Sequence, residues 1–281
     1  MRTLSAEEIQ SAIYFAIRQI TFHNDQDVMD LLAEARKKER APLACDVLDT
    51  MILNNKLSPE DCIPLCQDTG TTVIFAELGS QLSIEGGTLQ EIADAAVREA
   101  QRECPLRASI VEDPLFERRN TGNNAPAVLH ISHTPGETLR LHIAQKGGGA
   151  ENMSFMKMFS PATLLSDILR WIVDGIVSSG SKACPPLVIG IGIGGNFERC
   201  ALLAKKALFI PLHTINQDQR YAAVEAEILK QVNQFGCGVQ GMGGSLTALA
   251  VHILQEPCHI ASLPIAVNLQ CHDHRHIEIS L

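Results

Sequence analysis

Three cysteines stand where the chain changes character: Cys66 in Pro-Leu-Cys-Gln-Asp-Thr-Gly, Cys184 in Lys-Ala-Cys-Pro-Pro, and Cys271 in Leu-Gln-Cys-His-Asp-His-Arg. Each borders an apolar run and polar, turn-forming residues, a setting that suits a thiolate at the rim of a packed core. Three converging thiolates can bind a metal or cluster and leave one coordination position open. An open position separates a catalytic metal centre from a structural one. The three lie 118 and 87 residues apart, so no local spacing rule joins them. Cys62, four residues before Cys66, is an alternative ligand. Cys45, Cys104, Cys200, Cys237 and Cys258 read as structural.

Four segments carry further potential for chemistry. Gly190-Ile-Gly192-Ile-Gly-Gly195 has the G-x-G-x-x-G pattern after an apolar run. A dinucleotide site also needs a carboxylate about 20 residues further on. That region is Leu208-Phe-Ile-Pro-Leu-His213, which has none, so only anion binding at a helix N-terminus survives. Gly147-Gly148-Gly149 and the glycine-rich stretch 236–244 can bring backbone N–H groups close to a ligand, and a functional role is preferred over simple turns. Cys271-His272-Asp273-His274-Arg275-His276 is dense in potential ligands. Alternate histidines on a strand would share a face and could bind zinc, whereas a solvated polar C-terminus is the plainer reading; spacing does not decide between them.

The elements that must position these residues follow from local signals. Ser5-Ala-Glu-Glu8 and Thr88-Leu-Gln-Glu91 are capping boxes. The first opens a helix with Ile9, Ala12, Ile13, Ala16, Ile17 and Ile20 on one face, and the second a helix reaching about residue 103. Helices are expected near 26–38, 41–54, 160–179, 196–209 and 217–235. Strands are expected near 72–78, 127–133, 138–145, 187–193, 248–254 and 263–269. Residues 57–71, with Pro59 and Pro64, and residues 105–124 read as loops. No repeat or low-complexity linker interrupts the chain. The expectation is a single domain over 1–281, α/β mixed, with helices packed around a mixed β-sheet core.

The 281 residues suffice for a large core, and 46% apolar against 20% charged residues excludes disorder. Aromatics are 4%, so Ile, Leu, Val and Ala must fill the interior. The formal charge of −9, with no basic run, argues against a nucleic-acid partner. An anionic substrate would need local arginines or helix N-termini. The acidic, amphipathic N-terminus is unlike a signal peptide, and no apolar stretch reaches the roughly 18 residues of a membrane span. A cytoplasmic protein without a disulfide framework is expected.

Taken together, the motifs resemble the iron–sulfur hydro-lyases of the class I fumarase and L(+)-tartrate dehydratase family, specifically the α subunit or N-terminal catalytic domain. The resemblance covers nearly the whole chain. It rests on Cys66-Gln67-Asp68-Thr69-Gly70, Asn120-Thr121-Gly122, Lys146-Gly-Gly-Gly-Ala-Glu-Asn152-Met-Ser154, Ala183-Cys-Pro-Pro186, Gly190-Ile-Gly-Ile-Gly-Gly195 and Cys271-x-x-His274-Arg275.

The resemblance implies a fold of the class I fumarase N-terminal type and a [4Fe–4S] cluster held by Cys66, Cys184 and Cys271, whose fourth iron binds substrate. It implies Gln67, Arg107, Gly148 and Gly149 as substrate-binding residues, and Asp68 as the catalytic residue in proton transfer. Single-chain relatives continue into a second domain carrying further active-site residues, so a β subunit is expected as partner, in an α2β2 assembly. The expected substrate is a small dicarboxylate. Ala150-Glu-Asn-Met-Ser154 and the Gly-Ile-Gly-Ile-Gly-Gly run look more like the fumarase side, favouring fumarate and L-malate, with tartrate dehydration to oxaloacetate as the alternative. A non-enzymatic iron–sulfur or zinc-binding protein is a further alternative. The retained Gln67-Asp68 pair and glycine loop argue against it, because a sensor needs only the cysteines.

Overall fold

The computed structural model describes residues 2–281. In chain order the elements are β1 (Arg2–Ser5), α1 (Ala6–Phe22), α2 (Gln26–Lys38), α3 (Pro42–Asp61), β2 (Thr71–Gly79), β3 (Leu82–Glu85), α4 (Leu89–Glu103), β4 (Val128–Thr134) and β5 (Leu139–Lys146). Then come α5 (Gly148–Glu151), β6 (Phe155–Phe159), α6 (Leu165–Ser179), β7 (Leu187–Gly195), α7 (Phe197–Ala207), α8 (Gln219–Phe235), β8 (Ala248–Cys258), β9 (Leu263–Gln270) and β10 (His276–Ser280). No helix among the described residues is long and apolar enough to cross a membrane.

What reads along the sequence as one mixed unit is distributed over two compact units. The first contains Met1–Asn24, Asn54–Gly148 and Arg275–Leu281; the second contains Asp25–Leu53 and Gly149–His274. The chain crosses between them four times, at 53–54 and 148–149 within helices and at 24–25 and 274–275 in short irregular segments. No composition shift or flexible linker marks the division.

In the first unit a four-stranded sheet has the order β10-β5-β2-β4. Its β2–β5 and β5–β10 pairs are antiparallel and its β2–β4 pair parallel, a mixed sheet as the sequence implies. Ile9, Ile13, Ile17 and Ile20 on α1 join Ile92, Ala93 and Ala96 on α4, and Ile74, Leu139, Leu141 and Ile143 on the sheet, in one apolar core. Each fully buried Ile or Leu there contributes about 1.5–3 kcal/mol through removal from water. Both capping boxes form: Ser5 and Glu8 satisfy each other's backbone N–H groups, as do Thr88 and Glu91. The third helix runs on to Asp61, past the expected stop. Pro59 sits in its last turn, where a missing N–H removes only one helical bond, and Ser58 Oγ ties that turn to the Phe22 and Ile63 carbonyls at 3.0 and 2.6 Å.

In the second unit the sheet order is β6-β9-β7-β8, again mixed: β7–β8 is parallel, β7–β9 and β6–β9 antiparallel. Ile172 and Ile176 of α6 and Ile228 and Val232 of α8 pack with Ile189, Ile191, Val251 and Val267 of the sheet. Val28, Leu32 and Leu48, from α2 and α3, join Val188 and Leu249 in another cluster. The Gly190–Gly195 motif is explained by packing. A Cβ at Gly190 or Gly192 would run into the Ala204 or Cys200 carbonyl of α7, so glycine is what lets that helix lie on β7. At the N-terminus of α7, the Asn196 side chain accepts from Arg199 N–H at 3.0 Å and serves as an ordinary cap.

The four strands absent from the sequence reading, β1, β3, β6 and β10, are four or five residues long. Segments that short carry too little alternation to announce themselves.

Candidate active site

In the first unit the site is built on the loop between α3 and β2. Leu65 N–H bonds to Thr21 O at 2.9 Å, and Asn54 Nδ2 donates to Leu65 O at 2.9 Å, fixing the chain just before Cys66. Cys66 is half-buried. Its Sγ lies 3.4 Å from the Asp68 N–H, a donor that stabilises a thiolate. Asp68 is held from three sides. Its Oδ1 accepts from Gly70 N–H at 3.0 Å, its Oδ2 from Gly148 N–H at 2.8 Å, and its carbonyl oxygen from Arg275 Nη2 at 2.7 Å.

Arg275 is 1% exposed, and a buried guanidinium needs acceptors. Besides Asp68 it meets Gln145 twice: Nη1 reaches Oε1 at 3.5 Å, and its own carbonyl accepts Gln145 N–H at 3.0 Å. This end of the loop closes tightly. Gly70 has φ +73°, and a Cβ there would collide with the Lys146 carbonyl. Gln67 is exposed. Arg107 is exposed in the 105–124 loop, and its guanidinium has no hydrogen-bond or ion-pair partner among the described residues. Asn124 shapes that loop: its side chain accepts from Ser109 N–H at 2.6 Å and donates to Arg107 O at 3.0 Å.

In the second unit strand register brings distant residues together. Val188, near the start of β7, pairs with Gln270, the last residue of β9, and Leu187 pairs with Ala248, the first residue of β8. Cys184, Cys271 and the glycine-rich segment before β8 therefore meet at one end of this sheet. His272 N–H reaches Cys184 O at 3.5 Å, and His272 Nδ1 lies 3.2 Å from the same oxygen. Cys184 is exposed and adopts φ 56°, ψ 63°, a left-handed conformation that costs energy in a non-glycine residue. Cys271 is buried, with its Sγ 3.6 Å from Asp273 O. A Cβ on Gly149 would stand 3.1 Å from Lys182 O, so Gly149 lies against the turn that leads into Cys184.

The structure thus groups Cys66, Asp68 and Gly148 in one unit, and Cys184, Cys271 and Gly149 in the other. The segment 271–275 is not a solvated tail. Cys271, Asp273, His274 and Arg275 are all buried, and the segment lies outside any strand, so its histidines do not alternate on a strand face. Arg275 and Gln240 take part through contacts that no local pattern signals; only the polar density of 271–276 draws attention to the first.

Among the described residues no group of three or more His, Cys, Asp and Glu side chains could hold a single metal ion. Within the first unit an amide is aimed at Cys66 Sγ; within the second, Cys184 is strained and exposed and Cys271 lies on the segment bonded to the Cys184 carbonyl, so each thiol by its own chemistry and surroundings suits ligation to iron.

A profile of the family described as fumarate hydratase (Fumerase) matches residues 10–280. A protein of Methanocaldococcus jannaschii named putative L(+)-tartrate dehydratase subunit alpha is 35% identical over 268 residues, 94% of each chain. The L(+)-tartrate dehydratase subunit alpha of Escherichia coli K12 is 29% identical over 251 residues, 89% of this chain and 82% of that one. With nearly its whole length matched, the chain belongs to the fumarate hydratase (Fumerase) family of hydro-lyases.

Proposed function

We propose that this chain is the α subunit of a cytoplasmic hydro-lyase that reversibly hydrates fumarate to L-malate. The observation that carries the reading is the fixed Cys66–Asp68 pair, a thiol and a carboxylate two residues apart, with one amide donor on each carboxylate oxygen and Arg275 Nη2 on the Asp68 backbone carbonyl. A carboxylate fixed beside a ligand thiol is placed to accept or return a proton next to whatever that thiol helps to hold.

Cys66, Cys184 and Cys271 would hold a [4Fe–4S] cluster, which when bound supplies a Lewis-acidic iron. Asp68 accepts one amide on each carboxylate oxygen, and each oxygen keeps a lone pair. It can therefore take up a proton at Oδ1 or Oδ2 while staying oriented, and return it in the reverse direction. Gly148 acts through Asp68, to which its N–H is given. Arg107, exposed and without an ion-pair partner among the described residues, can grip a substrate carboxylate with two parallel N–H bonds. Gln67, also exposed, offers an amide to the same substrate, and Gly149 a backbone donor. On a chain of charge −9 these donors supply the local attraction a dianion needs.

The name "subunit alpha" borne by relatives that align along most of their length supports a β partner, and we propose an α2β2 enzyme. The same names favour a second reading, dehydration of L(+)-tartrate. Anaerobic co-purification with the β subunit, iron and sulfide analysis, and parallel assays of fumarate, L-malate and L(+)-tartrate test both. Faster turnover of fumarate is expected. A preference for tartrate would transfer the assignment to the second reading, and zinc in place of iron and sulfide would overturn both.

A further inference from the structure

The glycine-rich segment 236–244 has no role in the function proposed above, yet its conformation is tightly specified. It lies in the second unit between α8 and β8. Gly238 N–H donates to Thr247 Oγ1 at 3.0 Å. Ser245 N–H and Oγ donate to the buried Glu39 carboxylate at 2.7 and 3.0 Å. Gly241 presses on Ser181, so that a Cβ there would stand 2.6 Å from Ser181 Cβ.

Between these anchors Gly238, Gly241, Gly243 and Gly244 all take positive φ, and Gln240 joins them at φ 51°, ψ 19° although it carries a side chain. A glycine at this position too would take that conformation at no cost. The side chain accounts for the choice. Gln240 N–H and Nε2 both donate to Pro185 O, at 3.0 and 2.8 Å, and Nε2 lies 3.1 Å from His272 Nδ1. One side chain thus spans the residue after Cys184 and the residue after Cys271, with His272 Nδ1 accepting from Gln240, and the His272 backbone N–H closes the circuit on the Cys184 carbonyl.

We infer that Gln240 is a positioning residue that sets the spacing of the Cys184 and Cys271 thiols before anything binds them, and that the 236–244 loop exists to hold it there. The use of that spacing rests on the reading of these cysteines as cluster ligands; the spacing itself does not.

The test uses the reduced, cluster-free full-length chain and dibromobimane, which links two nearby thiols, with peptide mapping of the Cys184–Cys271 product. The wild-type chain should give the linked peptide. Gln240→Gly removes the amide while easing the left-handed backbone. It should slow linkage by at least about fivefold, the weight of one of the two hydrogen bonds lost, without lowering the melting temperature. If Gln240→Gly does lower the melting temperature, Gln240→Met, which keeps side-chain length without donors, decides on the same rate. No linked peptide in the wild type, or linkage at the wild-type rate in the deciding variant, overturns the inference. Separately, iodoacetamide labelling before and after addition of iron and sulfide reports on the ligand reading. Unchanged labelling of Cys184 and Cys271 would defeat that reading and leave the positioning result standing.

Discussion

Asp68 Oδ2 accepts the amide hydrogen of Gly148 at 2.8 Å, although 80 residues separate them. The bond joins the two segments the sequence marks most strongly, the Cys66-Gln67-Asp68-Thr69-Gly70 loop and the triple glycine. With the Gly70 N–H on Oδ1 it leaves the carboxylate little freedom to rotate, while Arg275 Nη2 fixes the Asp68 backbone through its carbonyl oxygen.

Asp68→Asn should therefore cost more than its proton-transfer capacity. An asparagine keeps one acceptor oxygen, and its NH2 group must face one of the two amide donors. A loss of about 1–3 kcal/mol in stability is expected from the unsatisfied amide. Turnover should fall by at least about a hundredfold, the usual weight of a positioned acid or base. Steady-state kinetics beside iron analysis check this; full activity with normal iron removes Asp68 from the chemistry.

Gly70→Ala tests the clamp under that loop. The position needs φ +73° and has no room for a Cβ beside the Lys146 carbonyl. The backbone must shift, at a cost of about 2 kcal/mol or more. Urea unfolding should show a lower midpoint, and iron retention should drop as Cys66 moves with the loop. An unchanged midpoint would mean that the loop is not clamped.

The ligand assignment separates two exposed cysteines. Cys184→Ser should abolish cluster retention after anaerobic reconstitution. Cys258→Ser should not, since Cys258 ends β8 with its Sγ 3.3 Å from Ser262 O. Equal loss in both would undo the assignment.

His252 predicts an acid-sensitive fold. It is 3% exposed on β8, and burial brings its pKa from 6.5 down to about 4 against the opposing pull of Asp27. Above pH 6.5 the ring is neutral both folded and unfolded, and its contribution is fully present. As pH falls from 6.5 towards 4 the unfolded chain takes up a proton that the native ring refuses, so stability declines, by up to about 3 kcal/mol. His252→Leu should flatten that part of the curve. Denaturation midpoints at pH 7, 6, 5 and 4 measure it, and an identical slope in the variant would clear His252 of the effect.

Local chemistry was legible wherever a few consecutive residues settle it. Ser5 with Glu8 and Thr88 with Glu91 announce two helix starts because a capping box is complete within four residues. The alternation and apolar runs of 72–78 and 187–193 mark central strands for the same reason. The type and order of Cys66-Gln67-Asp68, the triple glycine and Cys271-x-x-His274-Arg275 were enough to point to the family. Tertiary structure decided what those residues touch. Arg275 holds Asp68 because β10 pairs with β5, and Gln240 reaches both cysteine segments because β7 lies between β8 and β9. Register between strands is set by which faces can be buried together across the whole sheet. No stretch of sequence carries that information alone, so the residues that hold the site in place became visible only in the folded chain.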